Sequence, residues 1–237
     1  MHRLTFLIIW TLCGLPCVAQ QFITKGKITY ERKVNIGAYY NSEYGSTSQQ
    51  KLDQVNSDFF TLQFDNNRSI YEPLGNIRNL IFSRTAVDNI VYKDFEKDWV
   101  VSLKNVFEKK FFISDSLPKI VWKIRDDFRE IAGFNCRRAT TMLFDSVFVV
   151  AFYTDEIILP DGPENFSGLP GMILGLVINR LHTSWYATKV ELNVDERKII
   201  TPQGGNPINN KDYDQQLINS LKTWEGFRDR IIWACKI

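Results

Sequence analysis

From residue 89 to residue 192 the chain offers short apolar or alternating segments one after another, with turn residues between them and no helical pattern to part them. The segments are 89–92, 99–103, 107–113, 121–125, 129–131, 135–142, 147–153, 172–178 and 185–192. Their separators carry turn chemistry: Lys93-Asp94, Glu96-Lys97-Asp98, residues 115–118, Asp126-Asp127, Ala132-Gly133 and Asp145-Ser146. A parallel partner would need a crossover of about a dozen residues, so strands at this spacing must pair antiparallel. Upstream, 27–34 alternates apolar and polar residues, and 59–64 and 68–71 flank Asp65-Asn66-Asn67, a hairpin signal. The predicted fold is therefore mainly β, one antiparallel sheet that curls as it widens. Downstream, 201–210 holds Pro202, Gly204, Gly205 and Pro207 and reads as a linker. Tyr213, Gln216, Leu217, Leu221 and Trp224 then recur at helical spacing, which predicts a C-terminal helix packed on the sheet.

Residues 1–19 stand apart from this pattern. His2 and Arg3 precede an apolar run to Leu15, and Val18-Ala19 ends in a small residue. That is the make-up of a secretory signal peptide cleaved after Ala19. No later apolar run is long enough for a transmembrane helix, so the expectation is an exported protein, periplasmic or secreted. Predicted boundaries are 1–19 for the signal, 20–200 for the β domain, and 201–237 for the linker and C-terminal helix. Cleavage leaves 28 basic against 27 acidic side chains, a net charge of +1. A chain so nearly neutral gives no electrostatic case for nucleic acid. Cys13 and Cys17 leave with the signal. Cys136 and Cys235 remain, either bridged across a long loop or as two separate buried thiols.

The most distinctive stretch runs from Asp161 to Leu176. Asp161-Gly162-Pro163 opens one turn, and Gly168-Leu169-Pro170-Gly171 makes a second before the apolar run from Met172. Gly168 and Gly171 adopt positive φ without steric cost, Pro170 fixes its own φ, and Leu169 before it is pushed towards extended backbone. The stretch reads as a rigid corner delivering a buried strand, or as a ligand- or partner-binding loop through Asp161, Gly162, Pro163, Phe166, Gly168, Leu169, Pro170 and Gly171. A curled sheet with one helix must fill its concave face with its own side chains or with a ligand. Tyr92, Trp99, Trp122, Phe152 and Trp185 are the candidates for a sheet-face pocket, and the core is the alternative.

Trp122-Lys-Ile124, Ile131 to Ala139, Phe152-Tyr-Thr-Asp-Glu-Ile157, Asp161-Gly-Pro163 and Phe166 to Leu174 together resemble the GLPGLI family of exported proteins from Bacteroidota. The family's Gly-Leu-Pro-Gly-Leu-Ile signature stands here as Gly168 to Ile173, with Met172 in place of the second Leu. The resemblance covers about a quarter of the chain. It implies an exported β-rich protein with a half-barrel-like sheet similar to periplasmic lipoprotein carriers, and it implies no catalytic residue.

The residues themselves disfavour several chemistries. With His182 as its single histidine, the mature chain lacks a His-rich zinc or copper set. Asp155, Glu156, Asp161 and Glu164 have no ordered ligand spacing and read as a solvated acidic loop. Ser167 lacks the glycine that a nucleophile elbow needs at the position of Asn165, and only His182 could serve as its base. No cofactor and no metal are expected. The expectation is a non-catalytic binding or carrier protein of the cell envelope for an apolar or peptide-like ligand. The alternatives are an accessory protein of an outer-membrane transport or secretion system, and a hydrolase using Ser167 and His182.

Overall fold

The protein is described from a computed structural model covering residues 22–35, 37–38, 55–75, 88–106, 109–192, 196–223 and 228–237. Residues 1–19, read above as a signal peptide, and Trp224 lie outside the described residues.

Eleven strands form one antiparallel sheet in the order β6-β5-β4-β3-β2-β1-β11-β10-β9-β8-β7. They are β1 (Lys25–Asn35), β2 (Val55–Asp65), β3 (Arg68–Pro73), β4 (Ile90–Asp94), β5 (Trp99–Val106), β6 (Lys109–Asp115), β7 (Lys123–Ile131), β8 (Phe134–Leu143), β9 (Val147–Thr154), β10 (Met172–Ile178) and β11 (Thr183–Glu191). The order is two meanders joined where β1 pairs with β11. The hairpin at Asn66-Asn67 forms as predicted, with Asp65 opposite Arg68. Residues 121–131 differ from expectation. Residues 123–131 of this stretch form a single strand, β7, because Asp126-Asp127 sits in a bulge rather than a turn, tied by Arg137 to Asp126 (2.6 Å) and Arg138 to Asp127 (2.8 Å).

The chain forces this sheet to curl. Eleven flat strands at ~4.8 Å spacing would put β6 and β7 about 48 Å apart. The chain crosses from Asp115 to Lys123 in eight Cα steps, which reach at most ~29 Å. The two edges are thus drawn towards each other, and the sheet stays open between them.

Strand alternation then assigns the faces. Tyr71, Val91 and Val100 point inward into the main core with Ile28, Tyr30, Phe60, Leu62, Phe64, Leu176 and Trp185. Ile70, Tyr92 and Val101 point outward, where Ile199 covers them. Helix α1 (Asn210–Ser220) is N-capped by Asn209, whose side chain accepts from the Asp212 N–H. Its Tyr213 and Leu217, with Leu221 just beyond, cover Val106, Phe111 and Ile113 on the inner face beside β6. A second helix, α2 (Arg228–Lys236), was not foreseen. It places Cys235 in that same cluster and Ile237 in the main core.

No bridge joins Cys136 and Cys235. Both are free and fully buried, Cys136 in the main core and Cys235 under α1. Burial pushes each thiol up to about 12. In the folded protein neither should react with iodoacetamide at pH 8, and peptide mapping should find both alkylated once the chain is unfolded. A Cys136–Cys235 cross-linked peptide under non-reducing conditions would contradict the fold as described.

Candidate functional site

The segment between β9 and β10 does not stay on the surface. Asp161, Glu164, Phe166 and Leu169 are all essentially buried, and only Gly168 and Pro170 of residues 161–171 are exposed. Of the acidic residues expected in a solvated loop, Asp161 and Glu164 are therefore interior, whereas Asp155 is exposed and Glu156 half-buried. Lys93, read from the sequence as a turn residue, is the cause. It lies within β4 with the inward parity of Val91 and is buried. Its Nζ donates to Asp161 Oδ1 at 2.5 Å, to the Gly162 carbonyl at 2.9 Å and to the Phe166 carbonyl at 3.2 Å. All three ammonium protons are thereby used, the condition under which a buried lysine can be kept charged.

The rest of the loop is fixed by main-chain and side-chain bonds. Ile173 N–H donates to the Asp161 carbonyl (2.8 Å), Gly168 N–H to the Pro160 carbonyl (2.9 Å), and Tyr30 Oη to the Ile173 carbonyl (2.6 Å). Trp122 Nε1 donates to the Ser167 carbonyl (2.9 Å), with its ring 6.4 Å from that of Phe166. Gly168 and Gly171 take the positive φ expected of them, +89° and +140°. At Gly171 a Cβ would sit 2.1 Å from the Thr154 carbonyl oxygen, so no side chain fits the corner.

Behind this corner lies a second buried polar group. Asn89 Nδ2 donates to Glu164 Oε2 at 2.8 Å, while Glu164 Oε1, Asp161 Oδ2 and Asn89 Oδ1 have no hydrogen-bond partner among the described residues. Burial raises the Glu164 pKa, opposed by Lys104, Asn89, Arg32 and Lys93. Burial lowers that of Lys104, whose Nζ donates to the Cys235 carbonyl at 3.0 Å. Asn165 Nδ2 reaches the Ile237 main-chain oxygen at 3.3 Å. Strand directions put the 161–171 loop at the end of the curled sheet that also carries the β2–β3 and β4–β5 turns. Helix α2 enters from the opposite end, where Arg230 Nη2 donates to the Arg180 carbonyl (2.8 Å). Two parts of the chain thus meet inside the sheet and fill it.

The five predicted sheet-face residues do not share one site. Trp185 lies inside, donating to Tyr71 Oη at 3.1 Å. Tyr92 and Trp99 pack on the outer face, 6.0 Å apart in a T-shape. Trp122 lies against the loop, and Phe152 is half-buried with the Arg129 guanidinium 5.8 Å from its ring. Ser167 precedes β10, and His182 follows its other end, in the turn into β11. Among the described residues no group of three or more His, Cys, Asp or Glu side chains could hold a metal ion. What the loop leaves open is a cleft of ≈ 310 Å³ at its rim, lined by Phe95, Leu117, Pro118, Ile120, Pro160 and Gly168, with Asp98 and Lys119 also at its wall.

The fold and this site define a class: an open, curled antiparallel sheet filled by its own β9–β10 loop. Residues 142–175, which span β9 and that loop, match a family model described as "Protein of unknown function (Porph_ging)". The GLPGLI label itself is not confirmed. No curated protein matches the chain. Solved structures with a similar fold include PNGF-II in its C2 and P21 crystal forms, each with a TM-score of 0.53 and 14% identity. The match covers 88% and 81% of this chain, and 32% of the PNGF-II chain in both cases. At that identity the likeness is one of fold.

Two outcomes follow from the buried charges. Lys93→Met should cost about 3–5 kcal/mol in urea unfolding, because it strands Asp161 without its partner. Lys93→Met with Asp161→Leu should recover a large part of that loss, and strictly additive losses would refute the coupling. Glu164 works in the other direction. Its folded pKa is raised above the ordinary 4.5, so the unfolded chain releases the proton first and stability falls as pH rises from 4.5 through the folded value. Glu164→Gln should flatten that fall, as read from urea midpoints between pH 4 and 8.

Proposed function

We propose that the chain is a non-catalytic interaction module of the cell envelope, exported by residues 1–19 and working through its surface on a protein partner, such as an outer-membrane transport or secretion component. The observation that carries this reading is the filled interior. A carrier needs a hollow half-barrel, and here the 161–171 loop and the Cys235–Ile237 end occupy that space. Apolar side chains stand instead on the outside at the β7 edge and its neighbours: Val121 is 82% exposed, Phe128 58% and Met142 55%. A comparable fold makes up about a third of PNGF-II, which suits a unit that can serve a larger assembly. The buried Lys93–Asp161 pair and the separation of Ser167 from His182 by β10 favour a structural use of these groups over hydrolysis.

The test pairs two measurements on the exported protein. Photo-crosslinking residues placed at Val121, Phe128 and Phe148 in intact source cells should trap a discrete protein species. Native mass spectrometry of the gently purified chain should return the bare mass. A co-purifying apolar ligand together with no trapped protein would favour the carrier and overturn the module.

A further inference from the structure

The interior holds more charge than the Lys93–Asp161 pair accounts for. Arg32 on β1, Lys93 on β4, Lys104 on β5, Asp161 and Glu164 are all buried, and the Asp58 side chain on β2 is 9% exposed. Four of them form two ion pairs, Lys93 with Asp161 at 2.5 Å and Arg32 with Asp58 at 2.9 Å. Glu164 and Lys104 are left over, and among the described residues neither forms an ion pair. Each is bonded to a neutral group instead. Glu164 Oε2 accepts from Asn89 Nδ2 at 2.8 Å, and Lys104 Nζ donates to the Cys235 carbonyl at 3.0 Å. A buried carboxyl without a counter-charge lowers its cost by keeping its proton. Glu164 Oε1 and Asn89 Oδ1 are both fully buried acceptors, and a proton on the carboxyl turns one of them into a donor.

The two sides that seal Glu164 are unequal. The loop side is pinned by the three Lys93 bonds and by Tyr30. The α2 side is closed by its last turn alone. Of α2 and Ile237 beyond it, only Cys235 and Ile237 are buried. Their polar ties to the interior are the bonds from Lys104 and Tyr213 to the Cys235 carbonyl, both at 3.0 Å, and from Asn165 to Ile237 at 3.3 Å. Asn165 adjoins Glu164 in the chain, so lifting this turn opens the side of the carboxyl that the loop does not hold.

We propose that the last turn of α2 is a latch set by pH, docked while Glu164 keeps its proton and released to water, with the loop still in place, once that proton is lost. Burial raises the Glu164 pKa against the charges of Lys104, Arg32 and Lys93, and Tyr71 on β3 also faces it. Release returns the carboxyl to its ordinary 4.5. From there up to the docked value the released form binds fewer protons, so rising pH favours release by up to about tenfold per unit. Burial lowers Lys104, near which Asp214 on α1 and the Cys235 thiol stand. Its contribution therefore has the opposite sign and lies on the alkaline side, between its own lowered value and 10.5. Docked molecules remain the great majority, which keeps Cys235 closed to alkylation. The latch does not depend on the partner reading.

The test is native-state hydrogen exchange on the full chain between pH 4.5 and 7, read as protection factors, which remove the intrinsic pH dependence of exchange. The reporter is the Ile237 amide, which donates to the Trp233 carbonyl at 3.1 Å, and the reference is the centre of β1. Ile237 should be less protected than β1 at every pH and should lose up to about tenfold per unit. Glu164→Gln should abolish that fall. Protection of Ile237 equal to that of β1 throughout would mean no local release and would overturn the latch. Local release that is independent of pH would overturn it as well, since Glu164 would then stay sealed. A second reading needs no variant: the Glu164 carboxyl carbon should keep the NMR shift of the protonated acid well above pH 4.5, and titration at the ordinary value would refute the proposal.

Discussion

A lysine ammonium with all its protons committed, sealed beneath a loop that it holds by three oxygens, is the constraint on which this structure turns. Lys93 and Asp161 are 68 residues apart in sequence and are 1% and 0% exposed. Removing two charges from water is costly, and their attraction compensates only when geometry and hydrogen bonding are complete. Here they are complete for the lysine, which also takes the Gly162 and Phe166 carbonyls. The pair therefore selects one loop conformation. That conformation presents the Asp161 carbonyl to Ile173, sets Gly171 against the Thr154 carbonyl, and launches β10 into the core.

The curl and the loop depend on each other. An open sheet whose edges are joined by a short crossing has a concave face that must be covered. The loop enters from one end and α2 from the other, and they touch at Asn165 and Ile237. Helix α1 covers the β5–β6 side, and the chain around Ile199 covers part of the outer face. Among the described residues both faces of β3–β5 are thus covered, and the loop and the end of α2 occupy the inner side of the sheet.

Much of the architecture was legible because strands joined by turns admit few pairings. The alternation in 27–34, the Asn66-Asn67 hairpin, and the positive φ of Gly168 and Gly171 all carried through. Lys93 was not legible. A charged residue beside Asp94 reads as a turn, and nothing local reveals a carboxylate far along the chain that will meet it. The one available hint was parity, since Lys93 shares the inward phase of Val91. The aromatic residues misled for a related reason. Period-two spacing marks a face but not which face, and Tyr92 and Trp99 turned outward to a cover supplied by the chain near residue 199. Asp126-Asp127 looked like a turn because a bulge and a turn both interrupt alternation. Helix α2 begins Arg-Asp-Arg and then runs Ile231-Ile-Trp-Ala-Cys235, an apolar block without the spacing that identified α1.

The central claim is that the 161–171 loop is part of the core and not a mobile surface loop. Native-state hydrogen exchange reads this directly at the amides of Gly168 and Ile173, whose acceptors are the Pro160 and Asp161 carbonyls. The account requires both amides to exchange as slowly as those in the centres of β1 and β2, through global unfolding alone. Exchange at these two amides by local opening, orders of magnitude faster than in β1 while β1 stays protected, would show that the loop leaves the sheet on its own and would contradict the account.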